Sequence, residues 1–172
     1  VVVTKTHPVE TIRAVVQAGA IHLGENRVEE AEEKIPALAD LTEVKWHMIG
    51  HLQKNKVKYI AGFVKMIQSV DSLPLLKTID KEARKNNREI DVLLQLKISS
   101  EESKFGLSIK DAHSLLRDKS FGQLHNVRVC GVMGMATFTD DENMVRSEFR
   151  RLKGFFDDFC RPGRIRHMVT ID

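Results

Sequence analysis

Two hydrophobic rhythms alternate along the chain. Short runs of branched apolar residues, the pattern of strands covered on both faces, are separated by segments whose apolar positions recur every three or four residues, as in helices lying on a sheet. The first run, Val1-Val2-Val3-Thr4-Lys5, stops at Thr6-His7-Pro8. Pro8 suits a first helical turn, where its missing N–H costs nothing, and Ile12, Val15 and Val16 give that helix one apolar face before Gly19. Residues 21 to 24 read as a second strand. Glu25 and Asn26 follow, then an acidic helix whose weak apolar face is Val28, Ala31, Ile35 and Leu38, broken late by Pro36. Residues 44 to 49 form the third strand, 53 to about 59 a short helix, and 64 to 67 the fourth strand. Ser72 then caps a helix that buries Leu76, Ile79 and Ala83.

The same alternation fills the second half. Residues 90 to 96 are the fifth strand, and Ser108 with Asp111 opens a helix carrying Ala112, Leu115 and Leu116 inward. Residues 127 to 133 are the sixth strand. A long helix from about Asp141 places Val145, Phe149, Leu152, Phe156 and Phe159 at helical spacing, a stripe for packing on a sheet. Residues 168 to 171 are expected to begin a seventh strand.

Repeated β-α units imply a parallel sheet with right-handed crossovers, either doubly wound or closed as a (β/α)8 barrel. Both put chemistry at the carboxyl ends of the strands. Polar residues collect there: Lys5, then Glu25 and Asn26, His47 and His51, and Ser69, Asp71 and Ser72. Ser99, Ser100 and Lys104 follow the fifth strand, and Gly134 and Thr137 the sixth. No Gly-x-Gly-x-x-Gly follows the first strand, which argues against a dinucleotide site.

Composition narrows the classes. The chain has 172 residues, 42% hydrophobic and 30% charged, which predicts one globular domain over residues 1 to 172. No apolar stretch approaches the roughly 20 residues of a membrane span. The N-terminus lacks a signal-peptide layout, so a cytoplasmic location and no membrane partner are expected. Cys130 and Cys160 share no metal-ligand spacing and read as free thiols. The net charge of +3, from 27 basic and 24 acidic residues, and the sparse aromatics speak against a nucleic-acid partner.

Lys5 is the candidate with the most chemical content. A lysine at the end of a buried strand can snorkel to water, or it can serve as a Schiff-base amine whose charged form is disfavoured by desolvation. The segments Val1 to Thr6, Gly24-Glu25-Asn26, Trp46 to Lys56, Ser69-Val70-Asp71-Ser72 and Ser103-Lys104-Phe105-Gly106 resemble the pyridoxal phosphate homeostasis protein family, of YggS or PROSC type. The resemblance implies a (β/α)8 TIM-type barrel related to the alanine racemase N-terminal domain, here expected to be incomplete at both ends. It also implies that Lys5 holds pyridoxal 5'-phosphate (PLP) as a Schiff base.

Beside that lysine, Asn26 can hydrogen-bond the cofactor ring oxygen without adding charge. His47 either faces the ring or is a hydrogen-bonded core residue. Met133 and Gly134 either pack near the cofactor or simply close the sixth strand. The family's Ser-Met-Gly-Met-Ser segment and Arg-x-Gly turn, which grip the phosphate, find no counterpart in residues 160 to 167, so weak PLP binding is expected. Racemisation needs a second acid or base, and Tyr59 is the one tyrosine. The expected function is therefore a non-catalytic, monomeric PLP carrier in PLP homeostasis that serves PLP-dependent apo-enzymes. The alternative is a Schiff-base lyase, aldolase or racemase-like enzyme on the same barrel.

Overall fold

The computed structural model describes residues 1–99, 101 and 104–159. Strand β1 is Val2–Val3, and α1, Val9–Gln17, follows it. Then come β2 (His22–Glu25), α2 (Val28–Ala37), β3 (Lys45–Met48), a 3-10 turn at Lys54–Lys56 and α3 (Val57–Ile60). The chain continues through β4 (Met66–Val70), α4 (Leu73–Lys85), β5 (Ile90–Leu96), α5 (Ile109–Arg117), β6 (Val127–Gly134) and α6 (Glu142–Phe159).

All six strands are parallel and pair in sequential order, β1 to β6. A doubly wound sheet would reverse its strand order, so the sequential order decides between the two expected topologies in favour of consecutive barrel strands. Right-handed crossovers then place every helix on one face. Ile67, Ile90, Val92, Leu94 and Leu96 meet Leu76, Ile79 and Ala83 of α4, Ala112 and Leu115 of α5, and Phe155 and Phe159 of α6 in the main core. A second cluster packs Ile12 and Val16 of α1 on Leu23 and Trp46.

The opposite face is built in polar and apolar layers. At the amino ends of the strands, buried Asp91 pairs with Lys65 at 2.7 Å and with Arg128 Nη2 at 2.6 Å. Burial alone would raise the Asp91 pKa, but the two cations prevail and hold it below the usual carboxylate value. Met66, Leu93 and Cys130 form an apolar cluster on this face, with half-buried Met133 against it.

Several boundaries differ from expectation. The first strand ends at Val3, leaving Lys5 in the turn beyond it. The fourth strand is shifted to 66–70, because Val64 spends its apolar side chain in the helix-side core while Ser69 is buried in the strand by a 2.6 Å bond to the Gly50 carbonyl. In α6 the expected stripe is rotated. Phe149 is 45% exposed, and the buried positions are Glu148, Phe155 and Phe159. Glu148 tolerates burial because it accepts the Thr137 N–H and hydroxyl, each at 2.7 Å. Ser100, Ser103, Cys160, residues 161 to 167 and the expected strand at 168 to 171 lie outside the described residues.

Candidate functional site

Lys5 lies in the turn between β1 and α1, where the carboxyl ends of the strands open. It is exposed, contrary to the expected desolvation, because the strand pairing stops before it. Alternation along the segment sends buried Thr4 to the helix face, where it meets Glu25 and Lys34. Thr6 follows with φ +63°, a left-handed conformation uncommon for a β-branched residue. Among the described residues the Lys5 amine has no hydrogen bond or ion pair.

Asn26 follows the neighbouring strand β2 and is exposed. It is set in place by Gly50: a Cβ there would lie 2.2 Å from the Asn26 carbonyl oxygen and 2.9 Å from its Cγ, so only glycine allows the two turns to approach. Asn26 borders a recess of about 190 Å³ with Arg27, His51, Gln53 and Lys56. A larger groove, about 600 Å³, runs past His51 between Lys54, Asn55, Asp71 and Ser72. His51 is fixed there by a stacked ring contact with Phe105 at 4.1 Å and a 3.3 Å contact with Asp71. Lys5 lines neither recess.

His47 sits inside the molecule with both ring nitrogens engaged. Nε2 is 2.8 Å from His22 Nδ1, and Nδ1 is 3.0 Å from Gln68 Nε2. If the Gln68 amide donates to Nδ1, Nε2 carries the hydrogen and donates to His22, so one direction of donation satisfies both neutral rings. Burial, followed by the nearby charges of His22 and Lys65, lowers the His47 pKa to about 4. Met133 closes the interior apolar cluster. Gly134 faces the helices, because a Cβ there would meet Ile98 at 2.9 Å and Leu152 at 3.3 Å. The structure thus puts Lys5 and Asn26 on adjacent turns, His47 and Met133 inside the face opposite the helices, and Gly134 toward α6.

Sequence reasoning missed the support behind Lys5. Lys34 of α2 is buried and donates to the Thr4 carbonyl at 2.9 Å, to Glu25 Oε1 at 3.0 Å and to Glu30 Oε2 at 2.9 Å. Burial by itself lowers its pKa, but the bonds to Glu30 and Glu25 outweigh that and raise it above the ordinary lysine value. In the sequence the only sign was a Glu30–Lys34 spacing of four, which ordinarily marks a solvated helix pair. The loops after β5 and β6 are tied by Ser99 to Thr137 at 2.8 Å and by Lys104 to the Ala136 carbonyl at 2.5 Å.

An unpaired primary amine, a neutral amide one strand away and an apolar interior layer form a donor set that suits an aldehyde on a planar ring. A sheet in sequential strand order with that amine after its first strand has the architecture of an alanine racemase barrel, and the family model described as alanine racemase, N-terminal domain, matches residues 2–170. Within this fold class, the chain belongs to the pyridoxal phosphate homeostasis protein family. It is 39% identical over 158 residues to the pyridoxal phosphate homeostasis protein of Aquifex aeolicus, covering 92% of this chain and 68% of the relative. The corresponding protein of Synechocystis is 35% identical over 133 residues, covering 77% and 60%. The chain therefore spans about three-fifths to two-thirds of these relatives.

Among solved structures, PipY of Synechococcus elongatus with PLP bound superposes with a TM-score of 0.87 at 30% identity, covering 97% of this chain and 77% of that one. Alanine racemase of Streptomyces lavendulae gives 0.72 at 17% identity over 98% of this chain and 50% of that one, a likeness of fold alone.

Proposed function

We propose that this chain binds PLP covalently and reversibly through Lys5 and acts in PLP homeostasis as a non-catalytic, monomeric carrier in the cytoplasm, supplying PLP-dependent apo-enzymes. The observation that carries the proposal is the unpaired Lys5 amine on a braced turn at the carboxyl end of β1, in a fold shared with PLP-bound PipY. PLP supplies an aldehyde, which condenses with a primary amine with loss of one water and is released by the reverse reaction.

The protein's own residues present the amine and limit what else happens. Lys5 extends from an exposed turn, so bound aldehyde stays within reach of a competing amine. Asn26 offers an uncharged amide beside it, which orients a ring oxygen without trapping a charge. Met133 and the cluster of Met66, Leu93 and Cys130 form an apolar layer within the sheet. Tyr59, the one tyrosine, is exposed on α3 with Lys58 4.8 Å from its ring centre, on the helix layer. That placement supports a carrier over a two-base racemase.

Visible absorption during PLP titration, followed by borohydride reduction and peptide mapping, tests the proposal. The wild type is expected to yield a fixed adduct on Lys5. Lys5→Ala should lose it while its unfolding free energy stays within about 0.5 kcal/mol, since the side chain is exposed. An adduct on another lysine, or none, would overturn the attachment site. Measurable racemisation of alanine by the wild type would overturn the carrier role.

A further inference from the structure

The residues on both sides of Lys5 are tied to one buried ammonium. Lys34 Nζ donates directly to the Thr4 carbonyl, and its partner Glu30 accepts the Thr6 N–H at 2.8 Å through the same Oε2 that Lys34 holds at 2.9 Å. Thr4 Oγ1 donates to Glu25 Oε1 at 2.7 Å, the oxygen that also accepts from Lys34. Two carboxylates, from β2 and α2, and a main-chain carbonyl of the Lys5 turn therefore meet around one cation.

Stability alone is a poor explanation of this cluster. Burying an ion pair is generally no better than packing apolar residues in its place, and the Lys34 and Glu25 side chains are only 10% and 2% exposed. Among the described residues, Glu25 Oε2 is buried with no hydrogen-bond partner. The cluster nevertheless holds Thr6 at φ +63°, a conformation that something must enforce for a β-branched residue.

We propose that Lys34 is the positioning residue for the Lys5 amine, clamping both ends of the turn that presents it. The proposal rests on the reading of Lys5 as the point of PLP attachment.

The test uses Lys34→Met, which keeps the length and apolar stem, and Lys34→Arg, which keeps the charge. Two readouts are taken well below the unfolding midpoints: amide hydrogen exchange at Thr6 without added PLP, and borohydride trapping at Lys5 during PLP titration. Lys34→Met is expected to exchange the Thr6 amide at least about tenfold faster and to raise the half-saturating PLP concentration about tenfold. Lys34→Arg should recover both to within about threefold. Ile12→Val, which removes a buried methylene from the α1 cluster, should leave both unchanged despite its cost in stability. If Lys34→Met does not fold, Glu30→Gln tests the Thr6 arm, with the same direction expected for its exchange.

Wild-type exchange and trapping in Lys34→Met would overturn the clamp, as would equal losses in Ile12→Val. If the wild type traps no PLP at Lys5, the attachment reading fails by itself, and the Thr6 exchange arm still decides whether Lys34 orders the turn.

Discussion

Acidification below pH 6.5 should destabilise this protein through His47. The side chain is buried, 4% exposed, and burial is the main reason its pKa falls from 6.5 to about 4. Below pH 6.5 the unfolded chain takes up a proton at His47 that the folded chain refuses until about pH 4. The unfolded state then binds more protons, so stability falls as pH drops through this window and is unaffected by His47 above it. At about 1.36 kcal/mol per pH unit the full effect is about 3 kcal/mol, of which about 2 kcal/mol is expressed by pH 5.

The structural reason is specific. A proton on Nδ1 would confront the donating amide of Gln68, and a charged ring would lie against His22 at 2.8 Å. Urea unfolding of the wild type and His47→Gln at pH 7.5, 6.5, 5.5 and 5.0 isolates the effect, because the glutamine amide can still bond to His22 and Gln68. Titrating groups not in contact with position 47 are common to both chains. The wild type should lose about 2 kcal/mol more than the variant between pH 7.5 and 5. Parallel losses in the two chains would refute the claim that His47 is held neutral in the fold.

Two further substitutions probe the site and the core. Gly50→Ala drives a Cβ to 2.2 Å from the Asn26 carbonyl oxygen, a backbone contact that only movement of the Asn26 turn relieves. A loss of about 1–3 kcal/mol in thermal unfolding and about tenfold in PLP affinity is expected, the latter read by absorption titration. Leu94→Ala empties a fully buried position in β5, the longest strand after β6, and should cost about 2–5 kcal/mol in urea unfolding.

Most of the element order was legible because it rests on local patterns. Strand β5 is buried at every residue, and its stretch Ile-Asp-Val-Leu-Leu-Gln-Leu, apolar at five of seven positions, marks a strand covered on both faces. Ser108 caps α5 with its hydroxyl 3.0 Å from the Asp111 N–H, as the spacing of the two residues predicts. The exceptions share a cause. Ser69 and Glu148 are polar residues at buried positions, satisfied by groups 19 and 11 residues away, and they displaced the predicted edge of β4 and the predicted face of α6.

The sequence by itself determined the alternation of strand and helix, the Ser108 cap of α5, and the placement of Lys5 and Asn26 near the carboxyl ends of strands. Each follows from hydrophobic period and from residues within a few positions, interactions that exist before the chain folds back on itself. Tertiary structure decided the sequential strand order, the neutral chain through His22, His47 and Gln68, and the cluster that fixes the Lys5 turn. Hydrophobic period says that a position is buried but not what covers it. Whether a buried lysine or histidine keeps its charge depends on partners brought close only by the sheet: Lys34 reaches Thr4 across 30 residues, and His22 reaches His47 across 25.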